Sequence, residues 1–297
     1  MFKFLSKRPA FSMLELVFVI VVLGIVASIG SELIAKVYQN YIVQRALHRS
    51  STKTELVANQ LVNRLSYAIP RSIIGRIDAS SFLPINRIPA GAGYRILEWV
   101  AYDNDSFTSR SIANRQAGWS GFVDVDVNIA NKNRLSTKGS DLGISNTIIA
   151  NLSNSSKNLS DAVVFFPNLY DETSIGYTQT ARPAIRVSPV QGNTNATQLD
   201  LDTPAPRIKE QYKLAWSAYA IVPVAQANGL FSLNLHYNFQ PWDGSFYTTG
   251  SVSTLIRNVS VFNFTGAGNT IRFKLCVQED IGTTVHITTC KEKVVFR

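Results

Sequence analysis

One carboxylate stands where a carboxylate is costly. Glu15 lies inside residues 11–30 (FSMLELVFVIVVLGIVASIG), a run that is otherwise almost entirely apolar. A charge at bilayer depth costs about 2.5–3.5 kcal/mol on insertion scales, and such residues usually serve a specific partner. A second account needs no partner: in a first helical turn the side chain snorkels to the interface, where the helix dipole favours an anion. The other paired chemistry is sulfur. Cys276 and Cys290 lie symmetrically about Thr283, and residues 279–284 (EDIGTT) read as a turn between two strands. Direct antiparallel pairing about that centre sets the cysteines opposite each other, about 4.5 Å apart at Cα in a non-hydrogen-bonded pair and within disulfide reach. An oxidising compartment favours the bond; the alternative is two free buried thiols.

Little else has the spacing of a reaction centre. Asp124, Asp126 and Asn128 form D-x-D-x-N, and Asp103-Asn104-Asp105 is a short acidic cluster. Oxygen ligands of this kind hold Ca²⁺, but the Gly and terminal Glu of an EF loop are missing, and the outward face of a strand accounts for residues 124–128. His48, His236 and His286 are scattered, and with only two cysteines they exclude a zinc finger, an iron–sulfur protein and a multi-His metal enzyme. No G-x-S-x-G, Walker A loop, H-E-x-x-H or C-x-x-C occurs, and no spacing assembles a Ser-His-Asp triad. The expectation is a non-enzyme without cofactor or metal. Asn-x-Ser/Thr triplets at Asn151, Asn154, Asn158 and Asn195 are what so Asn- and Ser-rich a chain produces by chance.

The segment that must position Glu15 is the most informative. Residues 1–10 (MFKFLSKRPA) carry Lys3, Lys7 and Arg8 and no acid. Twenty helical residues span about 30 Å, the thickness of a bilayer's hydrocarbon core. The leader cations favour a cytoplasmic N-terminus with the rest of the chain outside. A secretory signal peptide, a plain membrane anchor and a more specialised anchor all begin this way. Val26-Ala27-Ser28 offers a passable signal-peptidase site, but a carboxylate inside the apolar core fits a signal peptide badly.

The order of residues carries a resemblance. Pro9-Ala10 followed by Phe11-Ser12-Met13-Leu14-Glu15 and a long apolar run resembles the class III leader of type IV pilins and type II secretion pseudopilins, over residues 7–30. The resemblance implies that prepilin peptidase removes the leader between Ala10 and Phe11 and N-methylates Phe11. The family's usual Gly before the cut is Ala10 here, still a small residue. It also implies a role for Glu15. Cleavage exposes an α-amine at the bilayer edge, and in a filament of stacked apolar helices one subunit's carboxylate neutralises its neighbour's amine, a pairing that specifies register more than it adds stability.

Helical periodicity continues beyond the apolar run. Leu47, Ser51, Thr54, Ala58, Leu61 and Leu65 recur at three- and four-residue steps, and Pro70 is the first strong stop. A helix over residues 11–68 would be about 87 Å long, apolar all round below and amphipathic above. Gly24 and Gly30 each lower helix propensity there by about 1 kcal/mol. From Lys36 to Arg76 the cations Lys36, Arg45, Arg49, Lys53, Arg64, Arg71 and Arg76 stand against Glu55 alone, read as a solvated face near anionic headgroups or as a surface for a filament neighbour or DNA. No interleaved aromatics mark a single-strand groove, so nucleic acid is not favoured.

After residue 70 the pattern changes to short strands. Residues 122–129 alternate, with Val123, Val125, Val127 and Ile129 on one face. Residues 94–102, 162–166, 212–224, 230–239, 252–264 and 270–278 also read as strands. Residues 131–160 read as a polar surface insertion with a short strand at 147–150, and residues 189–209 as a second loop. The expected fold is α+β: a leader (1–10), a transmembrane half-helix (11–31), an amphipathic half-helix (32–69) and a β-rich periplasmic domain (70–297) on a mainly antiparallel sheet.

Composition agrees with that division. Of 297 residues, 45% are hydrophobic and only 16% charged, with a net charge of +9 that favours anionic partners or an anionic membrane face. Removing ten leader residues leaves 287, large for a subunit that repeats along a filament, and residues 254–264 loosely resemble the C-terminal region of J-type minor pseudopilins. The expectation is a minor structural subunit of a pseudopilus or pilus, in the inner membrane until assembled, with prepilin peptidase, other minor pseudopilins or pilins and the inner-membrane assembly platform as partners. Two other classes stay open: a DNA-uptake minor pilin and a membrane-anchored periplasmic enzyme.

Overall fold

The computed structural model describes residues 12–89, 91–113, 115–128, 133–170, 175–177, 185–189, 197–202, 204–205, 207–282 and 285–296. Its first element is helix α1 (Met13–Ser66), 54 residues capped by Ser12, whose side chain accepts from the Leu14 N–H. At 1.5 Å per residue α1 is about 81 Å long. Three short helices follow: α2 (Asn104–Thr108), α3 (Val125–Asn128) and α4 (Leu142–Leu152).

Two antiparallel sheets complete the fold. The larger runs, edge to edge, β13 (Val285–Phe296), β12 (Thr270–Ile281), β11 (Ser251–Ala267), β10 (Phe231–Phe239), β9 (Ser217–Ala225), β3 (Ile96–Ala101), β1 (Ile74–Arg76) and β2 (Phe82–Pro84). The smaller runs β4 (Arg134–Ser136), β7 (Gln198–Leu201), β6 (Ile185–Pro189), β5 (Val163–Phe165) and β8 (Lys213–Ala215). The α+β expectation holds.

Side-chain alternation builds the layers, since successive residues of a strand face opposite sides. Leu97, Trp99, Ile221 and Leu235 of the large sheet join Leu61 and Leu65 of α1 in one core. Their strand neighbours Ile96, Val100, Ala218 and Ala220 pack from the other face onto Val163, Phe165 and Ala215 of the small sheet. The small sheet's far face gives Val164, Leu199 and Leu214, which meet Leu142 and Ile149 of α4. The molecule is therefore layered helix, sheet, sheet, helix, each face burying its apolar residues. Gly176 is required at one crossing: its φ is +96°, and a Cβ there would fall 2.6 Å from the Pro241 carbonyl oxygen.

Several sequence expectations are corrected. The strand expected over 122–129 does not form in residues 122–128. The Val123 N–H donates to Glu210 and the Asp124 N–H to Ser136, two different segments, and the chain then coils into α3; a run of alternating Val without one continuous partner strand has no ladder to join. Ile129 lies outside the described residues. The surface insertion expected over 131–160 is not one in residues 133–160: Leu135, Leu142, Ile149 and Leu159 are buried, and 147–150 belong to α4. Within 189–209, β7 pairs with β4 and β6. The strand expected at 212–224 breaks at Trp216 into β8 and β9, which belong to different sheets. On α1 the buried stripe is Ser50, Thr54, Val57, Ala58, Leu61 and Leu65, while Leu47 is exposed and Ser51 half-buried. Ser50 takes the place because its hydroxyl donates to the Val277 carbonyl.

Candidate assembly interface

The two halves of α1 have opposite fates. From Met13 to Tyr41 its large apolar side chains are exposed, among them Leu14, Phe18, Ile34 and Tyr38. It is long and apolar enough to cross a membrane, and none of its most apolar stretch is buried. An unsupported apolar surface of this size requires a non-aqueous neighbour, consistent with a single-pass membrane protein. Apart from the helix's own neighbouring backbone, Gly24 and Gly30 have nothing within 4 Å of where a Cβ would stand, so a larger residue would fit within the subunit at either.

Glu15 sits in the first turn, exposed, its N–H bonded to the Ser12 carbonyl. Among the described residues it has no ion-pair partner. Ala10 and Phe11, the expected cleavage and methylation positions, lie outside the described residues.

The upper half of α1 docks mainly on the terminal hairpin, β12 and β13. Odd-numbered residues of β12 face the helix: Ile271, Phe273, Leu275 and Val277 all enter the helix-facing core. Ion pairs rim the contact. Arg49 and Lys53 reach Glu279 at 3.5 and 3.4 Å, and Glu55 takes Lys293 at 2.6 Å and Lys291 at 3.3 Å. Hydrogen bonds from Lys293, then Lys291, hold the Glu55 carboxyl below its usual range. The even-numbered face carries the disulfide. Cys276 and Cys290 are register partners, bonded, with Cα atoms 4.0 Å apart, as the symmetry about Thr283 predicted.

Of the cations expected on a solvated face, Lys36, Arg45, Arg49, Arg64 and Arg71 are exposed and only Arg76 is buried, and several of them also have partners within the chain. Besides Arg49 and Lys53, Lys36 pairs with Glu32 at 2.7 Å, Arg64 lies over the Tyr219 ring, and Arg76 is buried against Glu98. Sequence reasoning missed the acidic partners Glu98 and Glu279 and the pair Lys291 and Lys293. The last two had a signal in the two-residue alternation of the final hairpin; Glu98 had none, because only the fold brings β1 beside β3.

The remaining candidates have structural duties. Asp103 caps α2, its Oδ1 accepting from the Ser106 N–H at 3.1 Å, and its carbonyl receives the Trp119 indole N–H at 2.7 Å; burial pushes its carboxyl up to about 6. Asp105 is exposed on α2. Asp124 pairs with Lys138 just before α3, and Asp126 lies in α3, so neither is on a strand face. His236 Nδ1 is 2.8 Å from the Tyr247 carbonyl, and His286 Nδ1 is 2.6 Å from Asp280. Among the described residues no three His, Cys, Asp or Glu side chains gather where a metal could bind. No family model, no curated protein and no solved structure matches the chain.

Proposed function

We propose that the chain is a pilin-like assembly subunit, a structural protein of a type II secretion or type IV pilus-like machine. The observation that carries this reading is a continuous 54-residue helix whose apolar first half is wholly unsupported by its own domain while its second half is built into a sheet. A plain anchor needs only the first part, and a helix running unbroken into the core delivers the domain to a fixed place beside a filament axis. The leader Pro9-Ala10-Phe11 and Glu15 supply the chemistry. In this reading prepilin peptidase cuts between Ala10 and Phe11 and methylates Phe11, and the chain waits in the inner membrane with its domain in the periplasm. The assembly platform then stacks it beside other minor pseudopilins or pilins.

The test is the mature N-terminus. Mass spectrometry of the membrane-extracted protein should find N-methylated Phe11. A terminus near Ile29 would make it a secreted soluble protein and end the assembly reading.

A further inference from the structure

Where α1 leaves the hairpin, two adjoining clefts of about 380 and 500 Å³ share Gln60, Arg64, Asp105, Trp216 and Tyr219. Each lies within the 300–1,000 Å³ range of small-molecule sites. One wall is a stripe of α1, with Gln60, Asn63, Arg64 and Tyr67 at i, i+3, i+4 and i+7. The opposite wall comes from the start of β9 and the end of β10, where Tyr219, Tyr237 and Asn238 stand. The Tyr219 ring is fixed from beneath by stacking on Trp99 at 5.9 Å, and Arg64 lies across it at 5.8 Å. Tyr67 is 37% exposed, its ring braced edge-on by Tyr102 at 5.5 Å.

The chemistry of this groove differs from that of the chain around it. In a protein of net charge +9, its exposed fixed charges are Arg64 and Asp105, which offset each other. The other recognition groups are carboxamides (Gln60, Asn63, Asn104, Asn238), the hydroxyls of Ser217, Ser253 and Thr254, and aromatic rings, with four leucines completing the wall of the larger cleft. A carboxamide offers a donor and an acceptor side by side, which suits adjacent hydroxyl groups, and a braced tyrosine offers a flat apolar face to the C–H side of a sugar ring. A polyanion would find no excess of cations here, and an apolar ligand would leave the carboxamides unpaired. An extended peptide would look for a free strand edge, but β9, β10 and β11 are interior strands paired on both sides.

We propose that this groove binds a neutral oligosaccharide, gripped by Asn63 and Gln60 of α1 with Tyr67 as the stacking platform. The test uses the full chain in lipid nanodiscs, which avoids glycoside detergents, on an array of neutral and charged oligosaccharides, followed by titration calorimetry with the best neutral binder. The expected result is saturable binding of a neutral glycan that weakens about tenfold in Asn63→Ala and in Tyr67→Ala. Asn63 is exposed, so its variant should melt as the parent does and its lost binding is not lost folding; Tyr67→Ala gives up the contact with Tyr102 and should melt somewhat lower. The proposal is overturned by retention of no neutral glycan at millimolar concentration, by binding that both variants leave intact, or by preference for sulfated glycans. Selective capture of extended peptides on a parallel peptide array, displaced by neither sugar, overturns it as well.

Discussion

Arg76 and Glu98 bind each other on neighbouring strands with both side chains only 1% exposed. The guanidinium also donates to the Ala79 carbonyl at 3.0 Å and lies over the rings of Phe82 and Tyr177. A buried pair is expensive to break, because the survivor is an uncompensated charge, while an apolar replacement of both is often neutral. Glu98→Gln should therefore cost about 3–5 kcal/mol, and the double variant Arg76→Met/Glu98→Leu should recover most of that loss. Denaturant unfolding of the three proteins checks the expectation. A single variant as stable as the parent would mean that water or a rearranged neighbour satisfies the remaining charge.

Asp103 should give the fold a particular pH dependence. Its carboxyl, usually near 3.8, is pushed up to about 6 by burial, so the folded state holds the proton more tightly than the unfolded state does. The resulting stability is fully present below about pH 4 and is lost as pH rises to about 6, a swing of about 3 kcal/mol at most. Asp103→Asn keeps a capping oxygen for α2 and should flatten this part of the profile. Melting curves of parent and variant between pH 4 and 7 would show the difference; parallel profiles would contradict it.

Replacing Cys276 and Cys290 together by Ser should destabilise the domain by about 2–4 kcal/mol. The loosening should centre on the hairpin that receives α1, so amide exchange should quicken in residues 50–58 as well as in β12 and β13. Peptide mapping without reductant should find the two cysteines joined in the native protein. Free thiols there would refute the bond.

Glu15→Ala separates the two accounts of that carboxylate. Removing a charge from the apolar half of α1 should leave membrane retention intact. Under the assembly reading, crosslinking to filament partners should fall while total membrane protein stays constant, since a neighbouring α-amine has lost its counter-ion. Normal crosslinking at normal abundance would make Glu15 a first-turn dipole residue. Loss from the membrane would reverse the energetic argument.

Local signals in the sequence were reliable where local interactions decide the structure. The unbroken helix to the Pro70 region, the long strands near 230–278 and the Cys276–Cys290 register all depend on periodicity or symmetry within a short stretch. Apart from residues 162–166, read as the strand that β5 fills, the small sheet and α4 were illegible for the opposite reason. Leu135, Leu142 and Ile149 are sparse among polar neighbours and become a core only when Leu199, Leu201 and Leu214 arrive from more than forty-five residues away. Ser50 and Leu47 illustrate the same limit on one helix face. Both sit at plausible positions, and the hydroxyl is buried while the leucine is exposed, because the Val277 carbonyl awaits the hydroxyl. Of the candidate interface, Glu15 was visible in the sequence as a misfit, and the fold leaves it exposed in the first turn of α1.

The docking of α1 also fixes a mechanical path. The helix is gripped mainly by β12 and β13, through Glu279, Lys291, Lys293 and the core beneath them, so a pull or push along the helix enters the globular part there. The Cys276–Cys290 bond lies across those two strands on the opposite face. It prevents them from unzipping, and the load must pass onward through the β12–β11 ladder into the rest of the sheet. The hairpin thus acts as a covalently locked coupling between the helix and the rest of the sheet.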